Sequence, residues 1–200
     1  MANKQSICCA VILCLLSWSV NVQAQNKFKS STPLQDVQLA VENSRDHWLH
    51  MFPDDDLKSF GFSNRAELTA AVPGNPIEVY LMYQEEGKQV MKPAGEFLIP
   101  MKTAGNTTAF LTVAYFEGRY RVVSAGEMNL AMDASKFIAG NNQVWVRNID
   151  HNADFIGTKA ADDAVVMFTP LFTAERASFN APVSYNVLIE RFNSMIVNHN

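Results

Sequence analysis

The sequence predicts an α+β fold, in which a curled antiparallel sheet of about six strands has helices packed on one face. Strand-like alternation of apolar and polar residues clusters in the middle of the 200-residue chain, and helical patterns lie towards its ends. Hydrophobic residues make up 48% and charged residues 18%, which is enough apolar material for a sizeable core. We therefore expect a signal peptide at residues 1–24 and a single α+β domain at residues 25–200.

The N-terminal segment has the pattern of a secretory signal peptide. Lys4 precedes an apolar run at residues 7–16, and Val22 and Ala24 occupy the positions that define a cleavage site before Gln25. The alternative is a retained N-terminal anchor, but the run is short for a transmembrane helix. All three cysteines lie in this segment, so the mature chain has none. The sequence thus predicts a secreted or periplasmic bacterial protein with no stable membrane span after cleavage.

Three helical segments are predicted before the first strand. Thr32, followed by proline, is a strong helix start, and this helix should run to about His50. A run of three aspartates then favours a short helix that ends at Gly61. Asn64 stands three residues before Glu67, which is the spacing of a capped helix start and predicts another short helix.

The central strands are predicted at residues 77–83, 96–101, 108–116 and 119–124. A two-residue turn ending at Gly118 would pair Tyr115 with Tyr120 and place Arg119 and Arg121 on the opposite face. Pro100 cannot donate a hydrogen bond to a neighbouring strand, so its strand should lie near an edge or at a bulge.

The second half of the domain begins with a helix that follows the hairpin. Ser124 stands at the capping distance from a glutamate, and the helix should end at Gly140. The remaining predictions are strands at residues 143–148, 154–157 and 164–169, a loop at residues 171–182 and a last helix at residues 184–198.

A family resemblance rests on a series of short motifs. They are Gly61-Phe62, Glu67-Leu68, Ala71, Gly74-x-Pro76-Ile77-x-Val79-Tyr80, Phe97-x-Ile99-Pro100, Thr112-Val113 and Gly118-x-Tyr120-x-Val122-Val123. This pattern resembles uncharacterised secreted bacterial proteins in which a short helical region precedes a curled antiparallel sheet, similar to cystatin-like folds. The resemblance implies a fold for residues 52–140, and it implies neither a reaction nor a catalytic residue.

Two groups of residues have the composition of metal ligands. Asp150, Asn152 and Asp154 place oxygen atoms at alternate positions, as calcium-binding loops do, although the later positions lack the expected glycine and glutamate. Asparagine- and aspartate-rich turns look the same without an ion, because these side chains bond their own backbone. His47 and His50 lie about one helical turn apart, but exposed histidines on a helix surface are the alternative. Apart from calcium, we expect no cofactor.

Aromatic and methionine residues of the predicted sheet form a second candidate site. Tyr80, Met82, Phe97 and Tyr115 would line a ligand groove on the concave face of a curled sheet. The alternative is that these side chains fill the core.

The function predicted from these observations is a non-enzymatic binding or accessory protein. Its partner would be another envelope or secreted protein, bound through the sheet face or an edge strand. The alternatives are a hydrolase with a site assembled from scattered Asp, His and Ser residues, and a calcium-stabilised structural module. With 16 basic and 20 acidic residues, nucleic-acid binding is disfavoured. Asn106 begins a glycosylation acceptor motif, which matters only in a eukaryotic source.

Overall fold

The computed structural model describes residues 33–126, 128–138, 140–175 and 179–197, and the predicted signal peptide lies outside them. The helices are α1 (Pro33–Asn43), α2 (Arg45–Leu49), α3 (Arg65–Ala70), α4 (Met128–Ala134), α5 (Phe172–Glu175) and α6 (Tyr185–Val197). The strands are β1 (Val72–Pro73), β2 (Ile77–Glu85), β3 (Lys88–Thr103), β4 (Asn106–Phe116), β5 (Arg119–Gly126), β6 (Gln143–Asn148), β7 (Ala153–Lys159), β8 (Val165–Pro170) and β9 (Val183–Ser184). No helix among these residues is both long and apolar enough to cross a membrane.

The strands form one mixed sheet of nine strands, in the order β5-β4-β3-β2-β6-β7-β8-β9, with β1 pairing to β3. The α+β class is therefore confirmed, but the expected size of about six strands and the purely antiparallel arrangement are wrong. Two antiparallel meanders, β2–β5 and β6–β9, meet where β2 runs parallel to β6. A parallel pair needs a crossover connection, and the segment that contains α4 supplies it. Alternation along each strand carries no information about this pairing.

Both faces of the sheet carry helices, so the expectation of helices on one face is also wrong. On the first face, α1 to α3 cover one half of the sheet, where Phe97 and Leu111 are core residues. Glu78 pairs with both Phe97 and Val144, and paired residues of neighbouring strands lie on the same face of a sheet. Val144 belongs to the core packed against α6, so α6 lies on the same face of the sheet as α1 to α3. We call this the α1 face. On the opposite α4 face, helix α4 packs against the residues Leu98, Phe110, Trp145 and Ile156.

The central hairpin forms as predicted. Tyr115 pairs with Tyr120, and Val113 pairs with Val122. Glu117 and Gly118 both have positive φ angles, of 50° and 82°, as a tight two-residue hairpin turn requires. A register shift beside Thr112 and Val113 adds a bulge farther along β5. This register fixes which β5 side chains lie on each face.

Pro100 lies in an interior strand, because β3 pairs with β4 on one side and with β1 and β2 on the other. The expectation of an edge position is wrong, whereas the bulge is present between Met101 and Lys102. Pro100 accepts a hydrogen bond from the Gly74 backbone N–H at 2.8 Å, so its ring nitrogen faces the same side. At this position the partner of β3 changes from β2 to β1, so the missing N–H of Pro100 removes no hydrogen bond between paired strands.

Each helical segment predicted before the sheet is present, and Thr32, the predicted start of the first, lies outside the described residues. The side chain of Asn64 accepts a hydrogen bond from the Glu67 backbone N–H at 3.0 Å, and Glu67 accepts one from the Ser63 backbone N–H at 2.6 Å. The short 3₁₀ helix before them, Leu57–Phe60, is capped by Gly61, which has a φ angle of 85°. The long first helix is broken into α1 and α2 at Ser44, whose hydroxyl bonds back to the Ala40 carbonyl at 2.6 Å.

Two predictions after the hairpin differ from the structure. The helix expected to begin at Ser124 begins at Met128, because Ser124 continues β5 and pairs with Thr112. The glutamate of the predicted cap is outside the described residues. The expected loop at residues 171–182 contains the short helix α5, in which Ala174 packs into the core. The final helix agrees with its prediction.

Candidate functional site

The three predicted calcium ligands lie at the β6–β7 turn, in different environments. Asp150 accepts a hydrogen bond from the Gln84 backbone N–H at 2.7 Å. Asn152 has a positive φ angle of 48°, which suits its place in the turn. Asp154 lies in the buried part of β7 and is only 2% exposed.

The Asp154 carboxylate is surrounded by donors from the protein itself. One oxygen accepts hydrogen bonds from Trp145 Nε1 and Arg147 Nε, both at 2.8 Å, and the other from the Thr173 hydroxyl at 3.1 Å. An ion would have to displace these donors and lie beside a guanidinium. Among the described residues, no group of three or more His, Cys, Asp or Glu is arranged to hold a metal. The calcium hypothesis stays a prediction, and the geometry gives Asp154 a structural role.

The four predicted groove residues share the α1 face but differ in their exposure. Met82 and Phe97 are 0% and 6% exposed and belong to the core. Tyr80 is half-buried, whereas Tyr115 is 59% exposed. The structure therefore places two of the four side chains where a ligand could reach them.

Tyr80 lies beside an ion pair that joins β2 to β7. Lys159 Nζ is 2.9 Å from Glu78 Oε2 and 5.5 Å from the centre of the Tyr80 ring. Burial, followed by the charge of Glu78, raises the pKa of Tyr80. Burial alone would lower the pKa of Lys159, but its hydrogen bond to Glu78 and the charge of that carboxylate keep the pKa above its usual value.

Tyr115 belongs to an aromatic cluster at the end of the sheet. Its ring is 5.1 Å from that of Tyr120, which in turn is 5.7 Å from that of Phe97, and both contacts are edge-to-face. Burial, together with the charge of Asp36 on α1, raises the pKa of Tyr120. The cluster extends from the core to the surface beside β5.

A cleft of about 370 Å³ opens between α1–α2 and β5, and we call it the β5 cleft. It is lined by Ala40, Asn43, Ser44, His47, Arg119, Tyr120, Arg121 and Val122. Within the part of the chain that the structure describes, strand β5 pairs only with β4, so its outer side forms one edge of the sheet. The cleft therefore lies beside an edge strand, whose outward backbone groups have no strand partner among the described residues.

The charged residues of the β5 cleft are basic. Among the described residues, its lining contains two arginines and a histidine, and no carboxylate. Arg121 donates to Glu117 at 2.8 Å and lies 5.5 Å from the centre of the Phe116 ring, which holds its guanidinium beside the strand. Arg119 is exposed. Sequence reasoning placed both arginines on one face of the hairpin but gave them no role, because it did not identify β5 as the edge strand.

Comparisons with known proteins give no functional assignment. No protein-family model matches this chain, and no curated protein or solved structure matches it either. Function must therefore be inferred from the chemistry of the site. The β5 cleft is the feature that combines an open strand edge, exposed aromatic surface and charge.

Proposed function

We propose that this chain is a non-enzymatic binding protein whose β5 edge accepts an extended segment of a partner protein. The observation that carries this proposal is the β5 cleft of about 370 Å³ beside an edge strand of eight residues. A strand added there would pair with the outward backbone groups of β5, which is how peptides bind by extending a sheet. The wall formed by α1 and α2 would contact the side chains of that segment.

The other end of the sheet is less suited to this role. Its last strand, β9, has two residues, which pair with Met167 and Phe168 of β8. Helix α6 begins directly after β9 and packs into the core through Leu188 and Phe192. Short edge strands offer few backbone groups to a partner. The long open edge at β5 is therefore the better acceptor.

The proposed partner is another envelope or secreted protein, and the proposed compartment is the bacterial periplasm or the extracellular space. The apolar run at residues 7–16 and the cleavage pattern before Gln25 support this setting. So does the restriction of cysteine to positions 8, 9 and 14. The resemblance to secreted proteins with a cystatin-like domain is part of the same proposal and assigns no residue a role.

The hydrolase alternative stays a prediction. It requires a cleft in which an Asp, His or Ser side chain is prepared for catalysis. The raised pKa values of Tyr80, Tyr120 and Lys159 arise from burial and from a neighbouring ion pair. These features support packing on the α1 face, and they favour no particular reaction.

A peptide selection followed by amide exchange tests the proposal. Binders would be selected from a random library of eight-residue peptides on the mature chain, residues 25–200. For the tightest binder, hydrogen exchange should slow at alternate amides of β5, because every second N–H of an edge strand points outward. The β8–β9 edge serves as the internal control. Protection that maps elsewhere, or a selection that yields no binder, would contradict the proposal.

A further inference from the structure

The charged residues in the lining of the β5 cleft are basic, whereas the whole chain is acidic. The sequence has 20 acidic and 16 basic residues, giving a formal net charge of −4. The part of the cleft lining that the structure describes nevertheless contains Arg119, Arg121 and His47 and no carboxylate. Glu117 lies outside the lining and pairs with Arg121, so Arg119 is the charge that would attract a carboxylate first, and a second carboxylate would compete with Glu117 for Arg121.

The spacing of the two arginines specifies where that negative charge should lie. Arg119 pairs with Phe116, and Arg121 pairs with Ala114, so both arginines project from the same face of β5. Tyr120 lies between them and projects from the opposite, α1 face, where it contacts Tyr115 and Phe97. Because side chains alternate along a strand, a paired segment presents its own residues with the same period of two.

We propose that the segment bound along β5 has an acidic–apolar–acidic pattern. This inference rests on the proposed function. The two carboxylates, two residues apart, would lie opposite Arg119 and Arg121. The apolar side chain between them would enter the β5 cleft, where Tyr120, Val122 and Ala40 offer carbon surface. Arginine suits the task because its planar guanidinium can bind a carboxylate through two hydrogen bonds.

A second copy of this chain fits the same edge less well. Two β5 strands that pair in antiparallel fashion around Arg121 would bring arginines of both copies together. Like charges directly opposite each other on neighbouring strands are destabilising. An acidic segment from a different protein has the complementary charge, and we commit to it as the occupant.

Binding of two synthetic peptides to the mature chain tests the charge pattern. One peptide is acetyl-Thr-Thr-Glu-Val-Glu-Thr-Thr-amide with a fluorescent label, and the other has lysine in place of both glutamates. Fluorescence anisotropy should give a Kd for the glutamate peptide that is at least about tenfold lower, since two attractive pairs replace two repulsive ones. The preference should weaken as salt is added.

Charge reversal in the protein provides the matched test. The double variant Arg119→Glu/Arg121→Glu should prefer the lysine peptide, whereas Lys58→Glu/Lys102→Glu, with the same change in net charge away from the cleft, should keep the original preference. Circular dichroism confirms that both variants fold. Equal Kd values for the two peptides, or the same preference in both variants, would overturn the acidic pattern.

The backbone of the peptide separates this inference from the proposed function. N-methylation of the valine amide and N-methylation of the two glutamate amides block opposite sides of the strand, so only one of them should abolish binding. If this effect holds and charge has none, the edge accepts a strand and the acidic pattern is wrong. Failure of both peptides to bind, or equal effects of the two methylations, would overturn strand addition along β5. Dimers that form through β5 in analytical ultracentrifugation would instead identify a second copy as the occupant.

Discussion

Gly157 gives a strict test of the packing between β7 and its neighbouring strands β6 and β8. It lies in the middle of β7, and a Cβ atom added there would be 2.7 Å from Val165 Cγ1, 2.9 Å from Val144 Cγ2 and 3.2 Å from Val146 Cγ2. Two of these distances are shorter than any relaxed carbon–carbon contact, and all three neighbours are buried. Gly157→Ala must therefore displace β-branched side chains, which have few alternative rotamers.

The expected cost follows from overpacking. Extra methyl groups in a well-packed core cost about 1–3 kcal/mol, and we expect Gly157→Ala to lower the free energy of unfolding by about 2 kcal/mol. For a domain of this length that corresponds to a decrease in Tm of about 4–8 °C. Urea unfolding followed by circular dichroism measures the effect. Gly140→Ala is the control, because its added Cβ would meet only the Asn142 side chain, at 3.4 Å.

A second substitution distinguishes crowding from other causes. Val165→Ala removes the methyl group nearest to the added Cβ atom. In the double variant Gly157→Ala/Val165→Ala, the two costs should sum to more than the measured loss, with a coupling of about 1 kcal/mol. Stability of Gly157→Ala equal to that of the parent chain, or additive costs in the double variant, would refute the packing described for this part of the sheet.

Three further predictions concern other parts of the fold. Asp154→Ala should lower the free energy of unfolding by about 3 kcal/mol, because it leaves buried indole and guanidinium donors without their acceptor; Asp150→Ala, which loses one exposed hydrogen bond, is the control, and equal urea midpoints for the two would contradict this role. Asn64→Ala should cost about 1 kcal/mol through loss of the α3 cap, and Asn64→Ser should recover most of it in the same assay. The raised pKa values of Tyr80 and Tyr120 stabilise the fold below the unfolded tyrosine pKa of about 10, and this contribution is lost as the pH rises above that value. The double variant Tyr80→Phe/Tyr120→Phe should therefore lose less free energy of unfolding than the parent between pH ~9 and pH ~11. The same dependence of stability on pH in both proteins would contradict this prediction.

The features predicted correctly from the sequence are those encoded by neighbouring residues. The hairpin register follows from alternation on either side of Gly118, and a slip by one residue would turn Arg119 and Arg121 into the core. The cap of α3 follows from the three-residue spacing between Asn64 and Glu67. In each case the physical cause lies within a few residues of its effect.

The features that were missed depend on contacts between distant segments. The parallel pairing of β2 with β6 joins Val79 to Trp145, and nothing in either strand specifies the other. The first half of β3 was not predicted, because Pro93 and Gly95 interrupt its alternation. Helix α4 has an ordinary apolar stripe, which does not reveal the face of the sheet against which it packs.

The candidate site divides in the same way. The spacing of Asp150, Asn152 and Asp154 predicts either a calcium loop or an Asx-rich turn, because oxygen ligands at alternate positions are a local pattern. The donors that occupy Asp154 include Trp145 and Thr173, which lie nine and 19 residues away in the chain. The β5 cleft could not be predicted in this way, because β5 is identified as an edge strand only from the order of the strands in the folded sheet.

Open strand edges present a general problem, since they pair with other copies as readily as with the intended partner. The positive charges of Arg119 and Arg121 bear on both kinds of pairing. In the proposed complex they would repel a second β5 strand that carries the same arginines and would attract a strand with carboxylates at the matching positions. A neutral edge would be open to both, and an edge blocked by proline would be closed to both. Paired arginines with an aromatic residue between them therefore suit an edge that has to remain available to one class of partner.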